Sequence, residues 1–192
     1  MIQRGKLIAL TKEAEKVDAD GLKHSATHRP IMISTVLYRL AARIVSNEVL
    51  PAASNYLSPL QLGVATPGAM EAIIHNIREA LMNNPDLAAL PLDIINAFNE
   101  VSRSGMIITV MTKHYLKRAR AFVKMSYGSP TPILMPDSHG IYLIINDLMS
   151  EQGLRQGNPA SNILFACALD AALKAIQSKH PTQANLIAYL SR

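Results

Sequence analysis

Apolar residues recur along this chain with two different periods, and the changes of period mark its elements. Lys6-Leu7-Ile8-Ala9-Leu10 is a short apolar run, and Arg29-Pro30-Ile31-Met32-Ile33 is again extended, because the residue before a proline avoids the helical region. Both predict strands, with a charged loop over residues 13–28 between them. Ser34 or Thr35 can then cap a helix reaching about Val49. Val36, Leu37, Leu40, Ala41, Ile44 and Val45 follow helical spacing and mark its expected buried face. Thr66-Pro67 supplies a hydroxyl cap and a first-turn proline for a second helix. Met70, Ile73, Ile74, Ile77 and Leu81 are its expected core stripe, and Asn83-Asn84-Pro85 its end.

The apolar run 87–95 is too short and too interrupted for a helix, since Pro91 falls near its middle. A buried strand is expected, pairing centrally only from Leu92 onward. Helices follow from Asn99 or Ser102 to Met111 and from Tyr115 to Met125, and Tyr127-Gly128-Ser129-Pro130 stops the second. Ile133-Leu134-Met135 and Ile141-Tyr142-Leu143-Ile144-Ile145 flank a turn-rich Pro136-Asp137-Ser138-His139-Gly140, the pattern of a hairpin. Pro159 opens a long apolar helix to about Gln177, and residues 186–190 read as a last strand. Strands gathered in hairpins among helices predict an α+β fold rather than a doubly wound sheet.

The 192 residues are enough for one large domain or two small lobes sharing a core, and 49% hydrophobic content excludes wholesale disorder. Only 17% of residues are charged, which suggests surfaces meant to be covered. A net charge of +5 suits a polyanionic partner without requiring one. Cys167 is the only cysteine, so no intrachain disulfide can form; it sits in an apolar run and reads as a small core hydrophobe. No stretch reaches the ~20 apolar residues of a membrane helix, so no membrane partner is expected. An intracellular setting, nuclear or cytoplasmic, follows by default. The histidines lack the spacing of a zinc site. Lys113, Lys117, Arg118, Arg120 and Lys124 form the densest basic cluster and spread over more than one helix face, which favours a solvated surface over phosphate contact.

Three segments carry candidate chemistry. Asp93 ends an apolar run before a polar turn, where a carboxylate can cap the next helix or meet a metal. Phe98 follows within Asn96-Ala97-Phe98-Asn99. Arg155-Gln156-Gly157-Asn158-Pro159 joins a glycine, which lets backbone approach a ligand closely, to a side chain that both donates and accepts. Together, and with Arg29-Pro30-Ile31, Gln61-Leu62-Gly63-Val64-Ala65-Thr66-Pro67-Gly68 and Tyr127-Gly128-Ser129-Pro130 between and before them, these segments resemble the reverse transcriptases of non-LTR retrotransposons. The resemblance runs from about residue 5 onward.

The resemblance implies the fingers and palm of a right-hand polymerase, with fingers over 1–85, palm over 86–192 and no thumb. It implies RNA-templated addition of deoxynucleotides to a DNA primer, with Mg2+ as cofactor. Asp93 stands where that family has its first metal-binding aspartate, and Phe98 where an aromatic residue packs beneath the incoming sugar. Arg155, Gln156 and Gly157 match the nucleotide-binding loop, with Asn158 in place of its usual aspartate. Arg29 and Lys12 resemble fingers residues that contact the triphosphate.

The departure comes at Tyr189-Leu190-Ser191-Arg192, where the family has an aromatic residue and two aspartates. Neither Ser191 nor Arg192 can replace a metal-bound carboxylate. Asp170 and Asp147 are not evident substitutes. The expectation is a fragment of a retroelement reverse transcriptase, inactive as it stands and lacking the thumb or other parent domains, with magnesium binding in question. The alternative is a catalytically dead lobe that binds nucleic acid or a protein.

Overall fold

The computed structural model describes residues 5–13, 16–17, 23–24, 27–136, 139 and 141–179. Strands β1 (Gly5–Glu13) and β4 (Thr27–Ser34) pair antiparallel from Gly5↔Ser34 to Glu13↔Thr27, with a register shift between Thr11 and Glu13. Part of the intervening charged loop is strand as well, since β2 (Lys16–Val17) and β3 (Lys23–His24) pair as a small separate ladder. Strand β5 (Thr131–Pro136) joins β1 in parallel, and β6 (Tyr142–Ser150) returns antiparallel to β5. The sheet order is β4-β1-β5-β6. The expected hairpin over 133–145 is therefore formed, and it lies beside the N-terminal strand pair.

Helix α1 (Val36–Leu57) begins where the sequence puts it, with the Thr35 hydroxyl accepting the Tyr38 amide, but it runs through Pro51 well past Val49. Its buried face is Tyr38, Ala42, Ser46, Val49, Ala53 and Leu57. The face expected to be buried is wrong: Val36, Leu37, Leu40 and Ile44 are all exposed, and only Ala41 and Val45 are partly covered. Two apolar stripes share this helix. The other elements accept the one whose small residues allow close approach and whose tyrosine hydroxyl finds partners. Helix α2 (Ala69–Asn83) ends where the sequence puts it but starts later, after a left-handed Gly68 with no side-chain cap, the Thr66 hydroxyl donating to the Val64 carbonyl instead; it buries only Ala69 and Ile73. Met70, Ile74, Ile77 and Leu81 stay exposed.

A larger correction falls on residues 87–95. They form no strand, and Leu87, Leu90, Leu92, Ile94 and Ile95 are exposed. A strand needs a neighbour to take its amides and carbonyls. Among the described residues no strand pairs with this segment, and the last strand read from the sequence, 186–190, falls outside them. Pro91 removes one donor besides.

Helices α3 (Ala97–Glu100), α4 (Arg103–Thr112) and α5 (Arg120–Tyr127) follow, the last two joined by a 3-10 turn at His114–Ala119. Helix α6 (Ser161–Lys179) is wrapped over its first two turns, with Ile163, Leu164, Phe165, Ala166 and Cys167 all buried. Helices α4 and α1 pack against it, and Met106, Val110, Phe122, Val123 and the small-residue face of α1 share its buried cluster. Gln61 adds a buried tie, donating to the Ala166 carbonyl at 2.9 Å. The core is thus a helical layer, and α1, α5 and α6 meet beneath the loop that follows β6.

Candidate nucleotide-binding site

The loop from Glu151 to Ala160 lies between β6 and α6, and its backbone is held from three directions. On one side the Met32 amide of β4 donates to the Gln156 carbonyl at 2.9 Å. Gly157 sits against the same strand at φ +99°; a Cβ there would lie 3.0 Å from the Met32 carbonyl oxygen and 3.3 Å from Ile31. Only glycine combines that dihedral with so close an approach. On a second side the Leu154 amide donates to the Phe98 carbonyl at 2.6 Å. Gly153, at φ +66°, is pressed onto the Asn99 backbone, where any Cβ would collide with the carbonyl. The turn that sets up this contact begins at Asn96, a residue that tolerates the left-handed backbone found there (φ 51°).

The third direction is the core below. Asn158 spans it: its oxygen accepts the Ala160 amide at 3.1 Å, and its amide donates to the hydroxyls of Tyr38 (3.2 Å) and Tyr127 (2.9 Å). The asparagine oxygen thus closes a two-residue turn just before α6. The Ser161 hydroxyl donates to the Arg155 carbonyl at 2.8 Å, and Ser46 of α1 donates to the Pro159 carbonyl at 3.2 Å. The loop reads as a rigid shelf rather than a free connection.

Arg155 is placed otherwise than expected for a substrate contact. It is buried, donating to the Ser126 carbonyl at 3.1 Å and to the Thr131 hydroxyl. Its guanidinium lies 5.5 Å from the ring centres of both Tyr38 and Tyr127, within cation–π reach. A charge held in this way shapes the loop from inside and does not face a ligand. Burial raises the Tyr38 pKa to about 12, the nearby Tyr127 adding to it and Arg155 opposing it.

Arg103, which the sequence reading passed over, is the other buried guanidinium. Burial lowers its pKa, and the Arg155 charge lowers it further. It reaches from the start of α4 into the 150–153 turn. A lone arginine before the apolar run Gly105-Met106-Ile107-Ile108 is the one signal the sequence offered.

Phe98 is half-buried with its ring 5.0 Å from that of Phe165, and its carbonyl accepts the Leu154 amide, two residues before Gln156 in the chain. Asp93 does not join them by any described contact; it is exposed in the unpaired 87–95 segment. Arg29 lies on β4, three residues before Met32, and Lys12 at the register shift of β1; their side chains, with Ser191 and Arg192, lie outside what is described. Among the described residues no three histidine, cysteine or acidic side chains gather as a metal site. One exposed carboxylate does not fit a pair of divalent cations, so the described residues alone do not make that centre. No described helix is long and apolar enough to cross a membrane.

The loop is thus tied both to a strand of the N-terminal sheet and to the turn that carries Phe98. Residues 21–190 match the model of the reverse transcriptase (RNA-dependent DNA polymerase) family, and the chain belongs to that family. Among its relatives, the retrotransposable element SLACS 132 kDa protein of Trypanosoma brucei gambiense is 28% identical over 171 residues, 88% of this chain and 14% of that protein. The retrovirus-related Pol polyprotein from type-1 retrotransposable element R2 of Nasonia vitripennis is 26% identical over 159 residues, 80% of this chain and 15% of that one. The chain is thus a reverse transcriptase domain of the non-LTR type, spanning about a seventh of the length of these relatives. In fold it is similar to the apo telomerase of Candida tropicalis truncated from its C-terminal domain. The TM-score is 0.52 at 12% identity, over 98% of this chain and 42% of that one. That likeness supports an α+β right-hand polymerase fold.

Proposed function

We propose that this chain supplies the nucleotide-binding framework of a retroelement reverse transcriptase, residues 1–85 serving as fingers and 86–192 as palm, and that it does not itself extend a primer. The observation that carries this reading is the bond from the Met32 amide to the Gln156 carbonyl, which ties the β4 strand bearing Arg29 to the loop bearing Gln156 and Gly157. A triphosphate bridging fingers and palm needs that spacing fixed before it arrives. Gly157 lets the nucleotide approach the backbone, Gln156 meets base and sugar, and Phe98 limits the space at the sugar 2′ position. Arg29 and Lys12 hold phosphate oxygens. The ancestral substrates are an RNA template, a DNA primer and deoxynucleotides, with Mg2+ aligning the primer hydroxyl and the phosphates.

Inactivity follows from the carboxylates. Asp93 is the one remaining candidate ligand, and Ser191-Arg192 stand where the other pair belongs. Purified protein given RNA template, primer, deoxynucleotides and magnesium is expected to show no extension. Templated incorporation that disappears on Asp93→Ala would contradict this.

A second reading, a lobe kept for binding, has one specific observation in its favour. Lys117, Arg118 and Lys124 of the basic cluster are exposed, whereas Arg120 is turned inward onto the Val110 and Lys113 carbonyls. RNA affinity that falls steeply with salt, and falls again when the three exposed residues become alanine, would favour it.

A further inference from the structure

Arg103 is the first residue of α4, and its side chain leaves the helix for the turn after β6. Its Nε donates to the Gly153 carbonyl at 3.1 Å, and one terminal nitrogen donates to the Ser150 carbonyl. The other donates to the Ser150 hydroxyl at 3.0 Å and to the Gln152 carbonyl at 2.8 Å. Four oxygens of one turn thus converge on a single buried guanidinium. The same turn delivers Leu154 to the Phe98 carbonyl and, two residues on, Gln156 to the Met32 amide. Only four residues separate Phe98 from Arg103, so the aromatic turn and the clamp are one short unit docked on one loop.

We propose that Arg103 is a positioning residue that sets the spacing between Phe98 and the Gln156-Gly157 backbone, and thereby how well the site tells a deoxynucleotide from a ribonucleotide. The second half of this statement rests on the nucleotide-binding reading above. A guanidinium is a flat fork with donors at fixed angles, so it fixes the mutual placement of the oxygens it holds. An ammonium on a flexible stem keeps the charge but cannot serve these acceptors in one plane. Loss of the fork leaves buried carbonyls unsatisfied, and the turn shifts to rehydrate them. A steric filter at the sugar depends on sub-ångström spacing, and a displaced Gln156 widens it.

The test compares the wild-type chain with Arg103→Lys and Arg103→Ala by amide hydrogen exchange and by binding of a 2′-deoxynucleoside and a ribonucleoside triphosphate in magnesium buffer. The Lys113 amide, bonded to Thr109 at the far end of α4, is the internal reference. In Arg103→Lys the Met32 and Leu154 amides should exchange at least about tenfold faster while Lys113 changes little, since only local opening is affected. The preference for the deoxynucleotide should fall by at least about threefold, with the charge retained. Parallel acceleration of all three amides, or none at Met32 and Leu154, would show a merely structural arginine and overturn the proposal. Loosened loop amides with an unchanged preference would overturn the specificity role. A wild-type chain that binds neither triphosphate while the loop amides still loosen selectively would sink the nucleotide-binding reading and, with it, the specificity role, leaving the positioning itself supported. Should Arg103→Ala fail to fold, Arg103→Lys carries the comparison alone.

Discussion

Asn158 shows how one side chain decides a local structure. Its two ends do different work, the oxygen closing a turn onto the Ala160 amide just before α6 and the nitrogen holding two tyrosine hydroxyls. Asn158→Ala should lower stability by roughly 1–3 kcal/mol, because a buried amide loses its acceptor and buried hydroxyls lose their donor. Asn158→Asp should cost less, since hydroxyls can turn to donate and the carboxylate keeps the turn. Urea denaturation of the three proteins at unchanged slope checks the order. Tyr38 adds a pH dependence. Its pKa is about 12 in the folded chain against 10.0 as the ordinary value. A proton held more tightly in the folded state stabilises fully below pH 10.0. That stability is lost as pH rises toward 12, because the unfolded chain releases its proton first. A gap of about two pH units corresponds to at most roughly 3 kcal/mol. Stability of the wild type should therefore fall more steeply over this range than that of Tyr38→Phe, as read by urea midpoints at each pH.

At the scale of the element, helices were legible and their orientation was not. The Thr35 cap and the Ser102 cap follow from local chemistry that the sequence states directly, whereas α2 starts after the left-handed Gly68 and not at the Thr66-Pro67 pair. Which stripe of α1 goes inward depends on its neighbours. Leu40 and Ile44 fit the helical period as well as Ala42 and Val49 do, yet they are 55% and 52% exposed while Ala42 is fully buried. Leu40→Gln or Ile44→Gln should therefore change stability by no more than about 0.5 kcal/mol. Ala42→Leu, into a closed contact, should cost about 1–3 kcal/mol by overpacking. Thermal or urea midpoints separate the two outcomes, and a costly Leu40→Gln would restore the face read from periodicity.

For the whole molecule, α6 is long and apolar in sequence, yet the uncovered apolar surface does not lie on its first turns. Those turns are buried, with α1 and α4 packed against the helix. Most exposed large apolar residues lie instead on the outer face of α1, along α2, through 87–95 and along β6. The surface along α2 includes a shallow groove lined by Ile74, Ile77, Arg78, Leu81 and Met82. Contiguous apolar surface of this kind drives association. Purified protein should sediment as larger species as its concentration rises, and Ile74→Ser with Leu81→Ser should reduce the effect. A monomer at every concentration would show that these faces are too scattered to act together.

What the sequence determined by itself was local or chemical: the start of α1 at Thr35, the hairpin, a glycine at 157 suited to close backbone approach, and a motif order that pointed to reverse transcriptase. Tertiary structure decided the rest, because each remaining choice depends on partners distant in the chain. Arg155 reads as a ligand contact until Tyr38, Ser126 and Tyr127 enclose it, and Arg103 is unremarked until four oxygens from residues 150–153 meet on it. The run 87–95 has the composition of a buried strand, but a strand exists only where another takes its hydrogen bonds, and composition cannot supply that neighbour.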